Sequence, residues 1–294
     1  MQPRRIVSVL TLVLLALAPP ALAQGAGDAA LREGRAALLQ DRVGEAVASF
    51  ERAIAADGSV AEYHYWLGTA LGVEAQRAGR LKQASLARRA RDEFERAVRL
   101  DPRHVGARLG LVQFYTLAPG IIGGSTSKAR AQAAEIASIS PFHGHLAHGM
   151  IAERGKDDAS AQRAYENAIA ASPDSAAGYL ALGLLHQRAQ RWDEAFATYE
   201  RLQRARPGDT AVLYHIGRAA ALSGRKLERG EEALRRYIAS PPPEATAYNV
   251  SRAHQRLAAI HERQGRKDLA RTQYEKAVAV DGHNEEAKKA LRGL

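Results

Sequence analysis

The chain has 294 residues, 46% of them apolar, a formal net charge of +10 and no cysteine. The lack of cysteine excludes disulfides, thiolate catalysis and Cys-based zinc sites together. Aromatic residues make up only 6% and alanine is abundant, a mix that favours closely packed helices over sheets.

The N-terminus reads as an export signal. Arg4 and Arg5 form a positive region, Ile6 to Ala18 is apolar, and Pro19 and Pro20 end the run. Ala21-Leu22-Ala23 fits an A-x-A cleavage site before Gln24. The apolar run is short for a membrane span. Residues 1–23 are therefore expected to be a cleavable signal peptide, and the protein to be exported, to the periplasm of a Gram-negative-type cell. Removing Arg4 and Arg5 leaves a net charge of +8, which favours anionic partners. Export removes the protein from nucleic acid, so no nucleic-acid partner is expected, and no other run is long enough to span a membrane.

From Ala46 onward one spacing recurs. A position for a small residue is held by Ala46, Ala90, Ala129, Ala161, Ala195, Arg229 and Ala270. Four residues later come Phe50, Phe94, Ala133, Tyr165, Tyr199, Ala233 and Tyr274, and three later again Ala53, Ala97, Ile136, Ala168, Leu202, Arg236 and Ala277. Pro or Gly closes each block at Gly58, Pro102, Pro141, Pro173, Pro207, Pro241 and Gly282. Twelve residues or more upstream of each first position lies Gly34, Gly68, Val112, Gly149, Gly183, Gly217 or Ala258. A small residue on each of two helices lets their backbones approach where they cross, and the aromatic fills the space to the next pair. The period is about 34 residues, and no such pair can bury its apolar face alone, so the pairs must stack.

This ladder resembles the tetratricopeptide repeat family; the unit Ala176 to Asp209 fits its pattern in every slot, with Tyr179 for Trp and His186 for Tyr. The resemblance implies an all-α, right-handed superhelical solenoid of about seven stacked antiparallel helix pairs over residues 24–294. Three insertions interrupt it. One near 72–89 contains no Pro and should lengthen both helices of the second pair. One over 117–128 is a Gly-rich loop. One near 240–248 holds Pro241-Pro242-Pro243 and should act as a rigid connector. The sixth unit, with Arg229 and Arg236 in small slots, is expected to sit in a shifted register. Residues 284–294 read as a polar capping helix. The long second repeat and the turn Ala118-Pro119-Gly120-Ile121-Ile122-Gly123-Gly124 also resemble a group of exported bacterial repeat proteins, which implies an envelope setting and no defined activity.

Candidate chemistry is sparse. His143, His145 and His148 have metal-like spacing, but in the repeat register His145 and His148 fall in packing slots, as do His64, His186, His254 and His261, so no metal is expected. The Gly-rich loop lacks the G-x4-G-K-[ST] pattern of a phosphate loop; Pro119 and Gly120 should end a helix, Gly123 and Gly124 allow a left-handed turn, Ser127 cap the next helix, and Ile121-Ile122 tuck against a neighbouring pair. Residues 76–91 hold Arg77, Arg80, Lys82, Arg88, Arg89 and Arg91 without an acid, either a solvated helix face or a peripheral contact for an anionic surface. No nucleophile–base pair, carboxylate pair or cofactor fingerprint is present, so neither catalytic residues nor a cofactor are expected.

The family's inner groove is lined by residues two, five, nine and thirteen of each first helix. Mapped by resemblance, these are Tyr65, Leu109, Gln113, Leu146, Met150, Arg154, Leu180, Leu184, Arg188, Tyr214, Arg218, Arg252, Gln255 and Arg263. Arginines dominate the C-terminal half, and Arg pairs carboxylates in bidentate fashion, so an acidic or C-terminal peptide is the expected partner. Chaperone-binding members of the family use a Lys/Asn clamp; Arg35, Leu184 and Arg218 stand where its Asn would be, so that clamp is absent. The expected function is an exported interaction scaffold or adaptor binding a protein or peptide of the cell envelope. The alternative is a structural subunit of an envelope or secretion assembly that uses its outer face or insertions.

Overall fold

The computed structural model describes residues 20–243 and 245–294. Among the described residues fifteen α-helices follow one another, and no strand occurs. Seven hairpins are α1 (Pro20–Leu39) with α2 (Val43–Ala56), α3 (Ala61–Arg77) with α4 (Arg80–Leu100), α5 (Val105–Leu117) with α6 (Thr126–Ile139), α7 (Pro141–Arg154) with α8 (Asp158–Ala171), α9 (Ala176–Arg188) with α10 (Trp192–Ala205), α11 (Ala211–Ser223) with α12 (Leu227–Ala239), and α13 (Ala247–Arg263) with α14 (Lys267–Val280). A nine-residue helix, α15 (Glu285–Gly293), caps the array. Each helix packs on the next, and the next-but-one contacts join first helices: α1 with α3, α3 with α5, α5 with α7, α7 with α9, α11 with α13. First helices therefore line the inner face of a solenoid and second helices its outer face. The export-signal reading falls mainly on residues 1–19, which lie outside the described residues; α1 begins at Pro20 and runs through Ala21-Leu22-Ala23.

The ladder residues build the core. Ala46, Ala129, Ala161, Ala195 and Ala270 are fully buried, as are Phe50 and Tyr199. A Cβ on Gly183 would lie 2.3 Å from the Tyr199 ring, and one on Gly149 2.2 Å from the Tyr165 ring. Only glycine lets the helices cross that closely with an aromatic between them. The third hairpin trades volumes instead: Val112 and Ala133, both fully buried, stand where its neighbours carry Gly and an aromatic.

In four hairpins the turn between the two helices is made by a left-handed residue. Asp41, Lys156, Gln190 and Gly265 supply it at φ 62°, 61°, 56° and 73°. Between hairpins, Asp57, Asp101, Asp209 and Asp281 accept hydrogen bonds from the backbone two residues on, closing the reversal with an Asx turn.

The insertions follow the sequence reading in part. Helices α3 and α4 reach 17 and 21 residues, against 13 or 14 in α9 and α10. In the Gly-rich loop, Gly120–Ile122 form a 3-10 turn closed by Gly123 at φ 109°. Gly124 is required for a different reason from the left-handed turn expected of it: a Cβ there would lie 1.7 Å from the Ala118 carbonyl oxygen. Ser125, not Ser127, caps α6. Ile121 does not tuck inward; it is 93% exposed, because the 3-10 turn points it away from the α5–α6 hairpin.

The sixth unit is shifted by one residue. Gly230, Leu234 and Tyr237 are buried in the slots assigned to Arg229, Ala233 and Arg236. A Cβ on Gly217 would meet Leu234 at 2.2 Å, the contact Gly183 makes with Tyr199. One extra residue enters at the turn, where Gly224 and Lys226 are both left-handed (φ 75° and 49°).

Candidate binding groove

The inner face opens into a recess of about 620 Å³ between hairpins three, four and five. Gln113, Met150, Arg154 and Arg188, four residues placed in the groove by sequence, line it. Thr116, Leu117, Glu153 and Leu185 join them. Sequence reasoning passes over Leu117 although it is residue thirteen of its helix, the slot of Arg154 and Arg188; the signal is present, but an apolar side chain there suggests core. Leu222 fills the same slot in the sixth unit. Both leucines are exposed, at 53% and 40%. Across the seven hairpins this slot holds Leu39, Val73, Leu117, Arg154, Arg188, Leu222 and Arg263, so the cations Arg154 and Arg188 are flanked on either side by an exposed leucine.

The charges around the recess differ in their freedom. Arg188 pairs with Glu153 at 2.5 Å across the hairpin boundary, and Glu153 also accepts from the Tyr165 hydroxyl at 3.0 Å. Arg154 is exposed and has no hydrogen-bond or ion-pair partner among the described residues. Arg218 donates to the neutral Gln187 side chain at 3.1 Å. Burial pushes the Tyr165 and Tyr199 hydroxyls well above the ordinary phenol range, so both are neutral donors.

The other groove residues are occupied. Tyr65 is half-buried against Trp66, Phe94 and His104, 4.9 Å from the last ring. Tyr214 packs on His215 and Tyr237. Arg252 and Gln255 both bond Glu286 of α15, each at 2.7 Å, because α15 takes the place of an eighth first helix. Arg263 donates to the carbonyls of Ala221 and Leu222 at 2.9 and 3.2 Å, capping the end of α11.

The histidines separate cleanly. His64, His186, His254 and His261 are buried, as their slots require. His148 is exposed, unlike the leucines in its slot elsewhere: α7 follows α6 after the single residue Ser140 and is drawn onto it, where a Gly144 Cβ would lie 2.6 Å from Ala137. His143 bonds the Ser140 hydroxyl at 2.8 Å and its ring meets Phe142 edge-on. Among the described residues no group of three His, Cys, Asp or Glu is placed to hold a metal ion. In segment 76–91, Arg77 pairs with Asp41, Lys82 with Glu74, Arg89 with Glu51 and Arg91 with Asp92, so most of its described cations already have carboxylate partners. No helix among the described residues is long and apolar enough to cross a membrane.

Sequence models of the tetratricopeptide repeat match residues 31–84, 146–210 and 251–284, together just over half of the protein. The chain belongs to the tetratricopeptide repeat family. The unmatched stretches hold the two repeats that depart furthest from the family pattern, the third with its Val112/Ala133 exchange and the sixth with its shifted register, yet both fold as tetratricopeptide hairpins. No curated protein matches the sequence. Among solved structures, a tetratricopeptide repeat protein from Parabacteroides merdae is 14% identical with a TM-score of 0.53, covering 91% of this chain and 98% of that one. A thermophilic tetratricopeptide repeat protein from Thermus thermophilus is 23% identical, TM-score 0.51, covering 64% and 95%. Yeast Tom70 is 15% identical, TM-score 0.66, covering 90% of this chain and 55% of its own. At these identities the likeness shows the fold, and the family as a whole points to a scaffold for protein–protein interaction.

Proposed function

We propose that this protein is an exported, non-catalytic adaptor that binds a peptide segment of a cell-envelope protein in the recess between hairpins three and five. The observation that carries the reading is the groove edge: Arg154 and Arg188 line the recess, and exposed Leu117 and Leu222 flank the pair. Exposed leucines flanking an unpaired cation suit a segment with apolar residues around an acidic one. The export signal in residues 1–23 supports the envelope setting, with the periplasm as the compartment. The fold supports binding over catalysis, since stacked repeats present an extended concave surface.

A photo-reactive residue at Met150, inside the recess, should crosslink an envelope protein in intact cells. The same residue at Arg163, exposed on α8 of the outer face, should not. Adducts from Arg163 or Ile121 alone would overturn the groove reading and favour a structural subunit that contacts its assembly through the outer face and the insertion loop.

A further inference from the structure

Three hairpins carry tyrosine in the aromatic slot of the second helix, and the residue four places after the crossing position of the first helix faces its hydroxyl. In the fourth hairpin that residue is Glu153, which accepts from Tyr165 at 3.0 Å. In the seventh it is Glu262, which accepts from Tyr274 at 2.5 Å. In the fifth it is Gln187, and Gln187 is turned away: its oxygen accepts from Arg218 at 3.1 Å and its nitrogen donates to the His215 carbonyl at 3.4 Å. Tyr199 is fully buried and its hydroxyl has no partner among the described residues. A buried donor without an acceptor is costly and calls for an explanation.

The surroundings of that hydroxyl are cationic. Arg188 and Arg218 are the charged groups that act on Tyr199. Arg218 has no carboxylate partner among the described residues, and Arg188 borrows Glu153 from the preceding hairpin. The fifth hairpin thus keeps the tyrosine donor of its siblings, sets it near its own Arg188 and Arg218 of the sixth hairpin, and lacks the carboxylate that the siblings supply from within.

We propose that a carboxylate of the bound partner completes this site, accepting from the Tyr199 hydroxyl and from Arg218, with Arg188 released from Glu153 to close over it. The inference rests on the groove being the binding face. The carboxylate can come from an acidic side chain or from a free carboxy terminus; charge-assisted bonds from Arg to carboxylate serve both.

The test uses three fluorescent eight-residue peptides: alternating Leu and Glu with an amidated end, alternating Leu and Gln with a free end, and alternating Leu and Gln amidated. The full-length protein should bind one or both of the first two and not the third, and which of the two it binds names the source. Gln187→Glu should place the missing carboxylate internally, raising the thermal midpoint of the free protein and weakening peptide binding at least tenfold. Tyr199→Phe should leave the midpoint of the free protein unchanged or higher, whereas Tyr165→Phe lowers it. The proposal is overturned if none of the peptides binds, if the uncharged peptide binds equally, if Gln187→Glu changes neither midpoint nor binding, or if Tyr199→Phe destabilises as Tyr165→Phe does, since the hydroxyl would then already have a buried water. Binding that is lost in Arg154→Glu but intact in Gln187→Glu would leave the groove reading standing and remove only this site.

Discussion

Replacing Gly144 by Ala should destabilise the protein, while the same change at Gly72 should stabilise it. Gly144 is the fourth residue of α7, and a Cβ there would lie 2.6 Å from both Cα and Cβ of Ala137 in α6. Carbon atoms in contact prefer roughly 3.5–4.0 Å, so the two backbones must part by about 1 Å. Neither side can yield by rotating a side chain, since the obstacle is backbone and a methyl group. Overpacking of this kind costs about 1–3 kcal/mol. The better helix propensity of Ala returns about 1 kcal/mol at most, and less in a first turn. The net expectation is a loss of about 1–2 kcal/mol. Gly72 lies within α3 with nothing inside 4 Å of a Cβ, so only the propensity gain of about 0.5–1 kcal/mol applies there. Urea unfolding followed by circular dichroism gives the two signs. Because a repeat array can lose cooperativity, amide hydrogen exchange should also show faster exchange confined to α6 and α7 in Gly144→Ala. Equal stabilisation by both substitutions would refute the argument that α7 is drawn onto α6.

Gln190→Gly should raise the thermal midpoint, because the left-handed φ of 56° strains a side-chain-bearing residue by about 1–2 kcal/mol, partly offset by the flexibility of unfolded glycine; a lower midpoint refutes it. Arg263→Met should cost about 1–2 kcal/mol through two lost bonds to the α11 carbonyls while leaving peptide affinity unchanged, as read by fluorescence polarisation; a stable variant with weakened binding would assign Arg263 to the partner instead. Burial, and then the charge of Arg218, hold the His215 imidazole down at about 4, against about 6.5 in an unfolded polypeptide. Below pH 6.5 the unfolded state takes up a proton that the folded one refuses, so stability is full above that pH and is lost toward pH 4, by about 3 kcal/mol for this residue. Burial pushes His186, His254 and His261 in the same direction. His215→Phe should flatten the acid limb of a stability–pH profile; an unchanged slope would show that His215 is not the source.

The fold was legible because the repeat writes its packing into spacing. Gly183 with Tyr199, and Gly149 with Tyr165, are contacts that a one-dimensional pattern can state. What escaped depends on three dimensions. The length of α3 and α4 could be read from an insertion without Pro, but the exposure of Ile121 could not, because apolar side chains on a loop look alike whether covered or bare. The register of α12 followed from burial of Tyr237, which the sequence offered beside an equally spaced alternative. In the groove, residue thirteen of each first helix located Arg154 and Arg188 and would have located Leu117. The occupancy of Arg252 and Gln255 was hidden, since it depends on Glu286 in a helix outside the repeats. The bare hydroxyl of Tyr199 depends on which way Gln187 turns, and no spacing encodes that.

The one-residue shift in the sixth hairpin has a consequence for how such an array can change. The additional residue is taken up between Ser223 and Leu227, where Gly224 and Lys226 both adopt left-handed geometry, and the buried set Gly230, Leu234, Tyr237 re-forms beyond it. Length errors are thus cancelled within one turn and are not passed to the neighbouring hairpins. The edge of the solenoid that carries these turns is a natural splice point, where foreign segments could be inserted while the curvature of the groove stays as it is.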